Sequence, residues 1–298
     1  MEVIFLGTGT SQGVPLLVHP NIDTESGVAL DLANPRNHRT RASIHVVLDG
    51  LHVQVDTGPD FRRQCWDNQI PAVDIFLLTH GHADHVVGAD DLRRYCDLRN
   101  GTAIPTYSTP EGLDRLRAIF PYAVRSAPAA TGYVALDLHE MPAELTLANG
   151  STVRSTLLPH GRFQTLGLVF TEKSTGARLA YYSDCAKLTD EAVQLAAGAD
   201  AAVLDGLRPA PHPTHMCIAD AVAAARQINA RRTFITHTTY QVDYATWTPR
   251  LAPDHVEIAY DGLRLNLPEA PFTSPGSADF QVGAHGLCGV AATLFLEK

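Results

Sequence analysis

Apolar positions arrive in short bursts in the first third of the chain: EVIFLG at 2–7, SIHVVLDG at 43–50, LHVQVD at 51–56 and DIFLLTH at 74–80. Runs of this length, rich in Val, Ile and Phe and bounded by Gly and Asp, predict β-strands. Asp49-Gly50 between two of them predicts a tight hairpin. The pattern then alternates. Helices are predicted at about 85–99, 110–120, 187–197 and 216–229, set between strands at VRSTLL (153–158), LGLVFTE (166–172), ARLAYYS (177–183), DAAVLDG (200–206) and TFITHT (233–238). Strand runs followed by strand–helix alternation recur in both halves. One α/β domain is therefore expected over 1–266, and the Pro/Ser/Gly-rich stretch at 267–280 opens a tail, 267–298, expected to pack on that core.

Composition narrows the picture without changing it. With 298 residues, 45% apolar and 18% charged, the chain suits one large soluble domain. A formal net charge of −9 argues against a protein held on nucleic acid by its charge, so nucleic acid is not an expected partner. MEVIFLGTG lacks the basic leader and long apolar centre of a signal peptide. The apolar run GLCGVAATLFL at 286–296 is far short of the roughly 20 residues that span a bilayer. A cytoplasmic location and no membrane partner are the expectations; a homodimer is left open. The five cysteines, Cys65, Cys96, Cys185, Cys217 and Cys288, contain no CxxC pair and read as reduced, mostly buried thiols. Trp66, Tyr181 and Tyr182 read as core aromatics, and His19, His38, His45, His52, His139, His255 and His285 as turn or strand histidines without partners at ligand spacing.

One stretch carries chemistry. THGHADH, 79–85, follows a strand and sets His80, His82, Asp84 and His85 within six positions. His80 and His82 fall on one side, and Asp84 and His85 swing round in the turn that opens the next helix, so one loop can face two metal ions. Imidazole and carboxylate suit Zn²⁺, Mn²⁺ and Fe²⁺. A metal needs further ligands, and His160, Asp184 and His237 each follow an apolar strand-like run, where α/β folds collect functional groups.

HxHxDH followed in order by a histidine, an aspartate and a late histidine resembles the metallo-β-lactamase superfamily. The resemblance implies a four-layer αββα sandwich with the site at one edge, and two divalent ions, Zn²⁺ or Mn²⁺. It implies that His80, His82 and His160 hold one ion, that Asp84, His85 and His237 hold the other, and that Asp184 bridges them. Asp56 in VDTGPD matches the superfamily's early aspartate, which would orient the ligand loop by hydrogen bonding; a plain turn residue before Gly58 is the competing reading.

The substrate needs residues beyond these. LRPAPHPTH at 207–215 adds His212 and His215 ahead of a helix, an arrangement similar to the phosphodiesterase branch. FLGTGTSQGVP (5–15), RTRASI (39–44), IPTYSTPEGLDRLRAIFPY (104–122) and AYDGLRL (259–265) bring the likeness closer to phosphoribosyl 1,2-cyclic phosphate phosphodiesterases. Those enzymes carry a structural zinc held by cysteines after the GVP turn and by a histidine three places beyond the last active-site histidine. Here that stretch has no cysteine and the late position is Tyr240, so no structural zinc is expected. The likeness implies a small cyclic or nucleotide-like phosphodiester as substrate and a water between two ions as nucleophile. His215, with His212 second, would protonate the leaving oxygen; Arg208 and Arg41 would steady a second phosphate or a sugar hydroxyl. A carbonyl ester, thioester or lactone hydrolase, a tRNase Z-like ribonuclease and a non-catalytic carrier are the alternatives.

Overall fold

The structure is a computed structural model that describes residues 1–23 and 25–268. The tail beyond Pro268, with His285 and Cys288, lies outside the described residues. Among the described residues no helix is long and apolar enough to cross a membrane.

Among the described residues fourteen strands form two seven-stranded sheets. The first takes β1 (Glu2–Gly7), β2 (Ser43–Leu48), β3 (Leu51–Val55), β4 (Ile75–Leu77), β5 (Ile104–Ser108) and β6 (Leu136–Glu140) in sequential order. The second takes β7 (Glu144–Thr146), β8 (Thr152–His160), β9 (Phe163–Thr171), β10 (Arg178–Tyr182), β11 (Ala201–Asp205), β12 (Arg232–Thr236) and β13 (Val256–Ile258), also in order. A final strand, β14 (Arg264–Asn266), returns to pair with β1. Each sheet has three antiparallel pairings followed by three parallel ones. The repetition expected from the sequence is thus real at the level of topology.

Period-two patterning explains the layers. Ile44, Val46 and Leu48 of β2 enter the core between the sheets, where Phe5 and Phe234 meet at 5.6 Å. The opposite faces bury a second set of side chains under helices. On the first sheet Ile4, Leu6 and Phe76 pack with Phe61, Leu92 and Leu116, under α1 (Phe61–Asn68), α3 (Arg93–Leu98) and α4 (Pro110–Ile119). On the second, Ala180, Tyr182 and Leu204 meet α5 (Asp190–Ala196) and α6 (Ile218–Ile228), with Val256 and Ile258 under α7 (Tyr244–Leu251). The order of layers is αββα, as the sequence led one to expect. Asp49-Gly50 forms its hairpin with φ of 45° and 80°.

Two expectations fail. The helix over 85–99 is broken into α2 (Ala83–Val86), a 3₁₀ turn (Ala89–Leu92) and α3. Gly88 causes the break: its N–H donates to Thr57 O at 2.8 Å, and a Cβ there would meet Gly58 O at 2.1 Å. Close approach of the two loops overrides the helical period. Trp66 is not a core aromatic but is 77% exposed on α1, whereas Tyr181 and Tyr182 are fully buried. Cys96, Cys185 and Cys217 are buried and Cys65 is half-buried.

Candidate metal centre

The ligand-type residues converge where strands of both sheets end. His80, His82 and His160 form one group, and Asp84, His85, Asp184 and His237 form another; in each, the ligand atoms lie within 4.8 Å of one another. His160 Nε2 stands 3.2 Å from His82 Nδ1, and His80 Nε2 stands 2.9 Å from the same atom. Asp184 Oδ2 is 3.2 Å from both His85 Nε2 and His237 Nε2 and 4.0 Å from His80 Nε2. It thus lies near members of both groups.

Backbone geometry marks the site. Asp56, Asp184 and His237, each just beyond a strand, take φ of 59°, 51° and 57°. The left-handed region is disfavoured for side-chain-bearing residues and persists where surrounding structure enforces it. Asp56 does not point a ligand at the groups. Its carboxylate accepts from Thr79 N at 2.8 Å, from Thr79 Oγ1 at 2.9 Å and from His85 Nδ1 at 2.7 Å. It therefore fixes the ligand loop and turns His85 Nε2 toward Asp84 and Asp184. Gly58 lets this happen, since a Cβ there would meet Asp84 O at 2.2 Å.

The donor chemistry fits divalent ions. His85 Nε2 and His237 Nε2 are buried without a hydrogen-bond partner, although carboxylate oxygens lie beside them. Burial works against ionising Asp184, but His237 and His85 more than offset it and hold its carboxyl well below the usual range. Asp84 behaves alike: burial opposes ionisation, and His85 and His237 overcome it. Conversely, burial disfavours charged His85, yet Asp184, Asp84 and Asp56 raise its proton affinity well above the ordinary histidine range. The carboxylates demand positive charge, which a cation can supply in place of protons. His80, His82 and His160 are pushed the other way, chiefly by burial, so their nitrogens are neutral lone-pair donors.

His215 packs over the junction. Its ring stacks on His237 at 4.9 Å and 9°, and meets His160 edge-on at 4.7 Å. Its Nδ1–H donates to Asp205 Oδ2 at 2.7 Å, leaving Nε2 as the free nitrogen. Asp205, at the end of β11, also accepts from Cys185 N at 2.9 Å, next to Asp184. Sequence reasoning missed Asp205, although it follows an apolar strand as Asp184 does. His212 lies 5.2 Å from the His215 ring, with Nδ1 3.2 Å from Thr214 Oγ1. Phe163, half-exposed at the β8–β9 hairpin, meets His82 edge-on at 5.1 Å and was not foreseen.

The two arginines are committed elsewhere. Arg41 donates to the Asp60 carboxylate at 3.1 Å and to Ser11 O at 3.1 Å, tying the glycine turn to the start of α1. Arg208 donates to Ala210 O at 3.3 Å and Pro211 O at 3.0 Å, bracing its own loop. The unforeseen arginine is Arg39. Fully buried, it donates to Thr238 Oγ1, Thr239 O, Val242 O and Asn37 Oδ1, and so holds the turn after His237. RTRASI carried that signal, because a basic residue at the edge of an apolar strand can be a clamp. After the GVP turn, the His19 ring lies tilted against Tyr240 at 4.7 Å and Gln241 donates to Asp23 at 2.9 Å.

Fold and site define an αββα sandwich whose histidines and aspartates are arranged as for divalent metal. Residues 52–238 match the β-lactamase superfamily domain, and the chain belongs to that superfamily. It is 30% identical over 275 residues to an octanoyltransferase of Porphyromonas gingivalis, covering 90% of this chain and 52% of that one. The chain thus spans about half the length of that relative. It is also 30% identical over 232 residues to coenzyme PQQ synthesis protein B of Methylobacterium radiotolerans, covering 69% of this chain and 73% of that one. Among solved structures, a diphosphatase from the PhnP family superposes with a TM-score of 0.76 at 29% identity, covering 89% of this chain and 97% of that chain.

Proposed function

We propose that this protein is a dinuclear metal-dependent phosphodiesterase acting on a small cyclic or nucleotide-like phosphodiester, with two Zn²⁺ or Mn²⁺ ions held by the seven ligands. The observation that carries the reading is His215, braced by Asp205 and packed across both ligand groups. Bound divalent ions would supply Lewis acidity toward the phosphoryl oxygens and a water acidified toward neutral pH. His215 supplies what an alkoxide leaving group needs. Asp205 takes the Nδ1–H, so the proton delivered to the departing oxygen comes from Nε2. Phe163 and His212 stand beside the site as groups that can contact the rest of the substrate.

The similarity to a PhnP-family diphosphatase supports phosphoryl transfer over carbonyl chemistry. A lactone or thioester hydrolase remains the second reading, and the two differ over His215, because a good leaving group needs no proton. Metal analysis joined to turnover of bis-p-nitrophenyl phosphate, 2′,3′-cyclic nucleotides, ribosyl 1,2-cyclic phosphate, a lactone and a thioester tests it. Turnover of phosphodiesters is the expected result, and activity confined to the carbonyl esters would overturn the proposal.

A further inference from the structure

Leu166, Leu168 and Phe170 of β9 are buried, yet Phe163, which opens the same strand, is 47% exposed beside the ligand-type histidines. The β8–β9 turn puts it there. His160 pairs with Phe163 across that turn, and residues directly opposite in a hairpin share one face. Gly161, at φ of 63°, makes the turn, and a Cβ on it would meet Thr214 Cγ2 at 2.9 Å. His160 Nδ1 donates to Thr214 O at 2.9 Å, which fixes the hairpin against the segment carrying His212 and His215. The place of the Phe163 ring is thus set by the fold.

Phe163 meets His82 at 5.1 Å and 82°. Whichever ring offers its edge, a pair of this kind leaves at least one face of Phe163 uncovered by His82. An open aromatic face beside a phosphoryl site suits a planar heterocycle on the alcohol side of the ester, because every nucleobase has a π-face that stacks on such a ring.

Resting on the phosphodiesterase reading above, we propose that Phe163 is a specificity-determining residue, the platform on which the base of a nucleotide substrate stacks while its phosphodiester lies at the seven ligand-type residues. A base-free sugar phosphate gains nothing from that platform.

Isothermal titration of the full-length, zinc-loaded protein with AMP and with ribose 5-phosphate, which lacks the base, tests the assignment. AMP is expected to bind ~10-fold more tightly. Phe163→Leu keeps apolar bulk without the π-face and should bring the two affinities together, whereas Phe163→Trp should keep the gap. A merely structural role for Phe163 would separate neither the two ligands nor the two variants. Equal affinities in the wild-type protein, or a gap that survives Phe163→Leu, overturn the proposal. Because the readout is binding, it stands apart from the reaction: an AMP preference that depends on Phe163, in a protein that turns over no phosphodiester, supports the platform and strikes only the reaction assigned above.

Discussion

The two sheets share one strand plan and load it differently. In the first, one loop after β4 delivers four ligand-type residues, His80, His82, Asp84 and His85; in the second, the ends of β8, β10 and β12 deliver His160, Asp184 and His237 one at a time. The bracing carboxylates also exchange places. Asp56, beyond β3, accepts from Thr79 N beyond β4, whereas Asp205, ending β11, accepts from Cys185 N beyond β10. By topology β3 matches β10 and β4 matches β11. In each sheet a carboxylate at one strand end thus braces the backbone beyond the neighbouring parallel strand, from opposite members of the matching pair.

Asp56 and Asp184 test this most sharply, since they occupy matching strand ends with the same left-handed backbone. Asp184→Asn should lose metal and lower turnover by at least ~10³-fold, because several kcal/mol of charge stabilisation leaves with the ions. Asp56→Asn should keep the ligand set and weaken metal affinity by ~10–100-fold. Atomic emission after dialysis against a chelator separates them; equal metal loss in both would erase the distinction between ligand and brace.

His215 and Asp205 come next. His215→Ala is expected to lower kcat by ~10²–10⁴-fold with metal content unchanged. Asp205→Asn keeps the imidazole and should cost less, while displacing the pH profile of kcat. A His215→Ala protein that arrives without metal would make that residue a ligand. Assaying a substrate with an activated leaving group, such as a p-nitrophenyl ester, should narrow the gap between wild type and variant.

How far the sequence foretold the site follows the same contrast. Four ligand-type residues in six positions were legible as one cluster because their spacing is local. His160, Asp184 and His237 were legible only as isolated polar residues after apolar runs, made a set by the resemblance. Asp205 had the same local signature and was passed over, since nothing in one dimension says which strand-end aspartate turns inward. The helix over 85–99 failed for a related reason: Gly88 is held by Thr57 and Gly58, residues far from it along the chain. Trp66 failed because an apolar neighbourhood in sequence does not specify which face of α1 meets the sheet.

Arg39 and Arg41, two residues apart in RTRASI, sharpen the comparison at the level of stability. Arg39 is fully buried, and burial lowers its guanidinium to about 10 while Asp261 and Asp243 oppose the shift. Arg39→Met should destabilise by ~3–5 kcal/mol, since the Thr239 and Val242 carbonyls and the Asn37 side chain lose their donor. Arg41→Met removes a partly exposed ion pair with Asp60 and should cost ~0.2–1 kcal/mol. Urea denaturation of both distinguishes them, and similar midpoints would deny Arg39 its clamping role.

A pH-dependent effect concerns a histidine with no place in the site. His45 on β2 is fully buried, with Nε2 2.9 Å from His52 Nδ1 and Nδ1 3.1 Å from Gln54 Oε1. Burial lowers it from 6.5 to about 4, partly offset by Gln54. The unfolded chain therefore binds more protons than the native one between those values, and stability must rise with pH across the window and fall on acidification. At ~1.4 kcal/mol per tenfold change in proton affinity, the loss between pH 6.5 and 4 is about 3 kcal/mol. His45→Leu cannot titrate there, so the stability of wild type relative to the variant should decline by up to that amount as pH falls from 7 to 4. Denaturation curves that keep a constant separation over this range would refute the assignment. If the pH profile of turnover is unchanged in His45→Leu, the titration that controls stability lies in the first sheet and the one that controls chemistry lies among the strand ends.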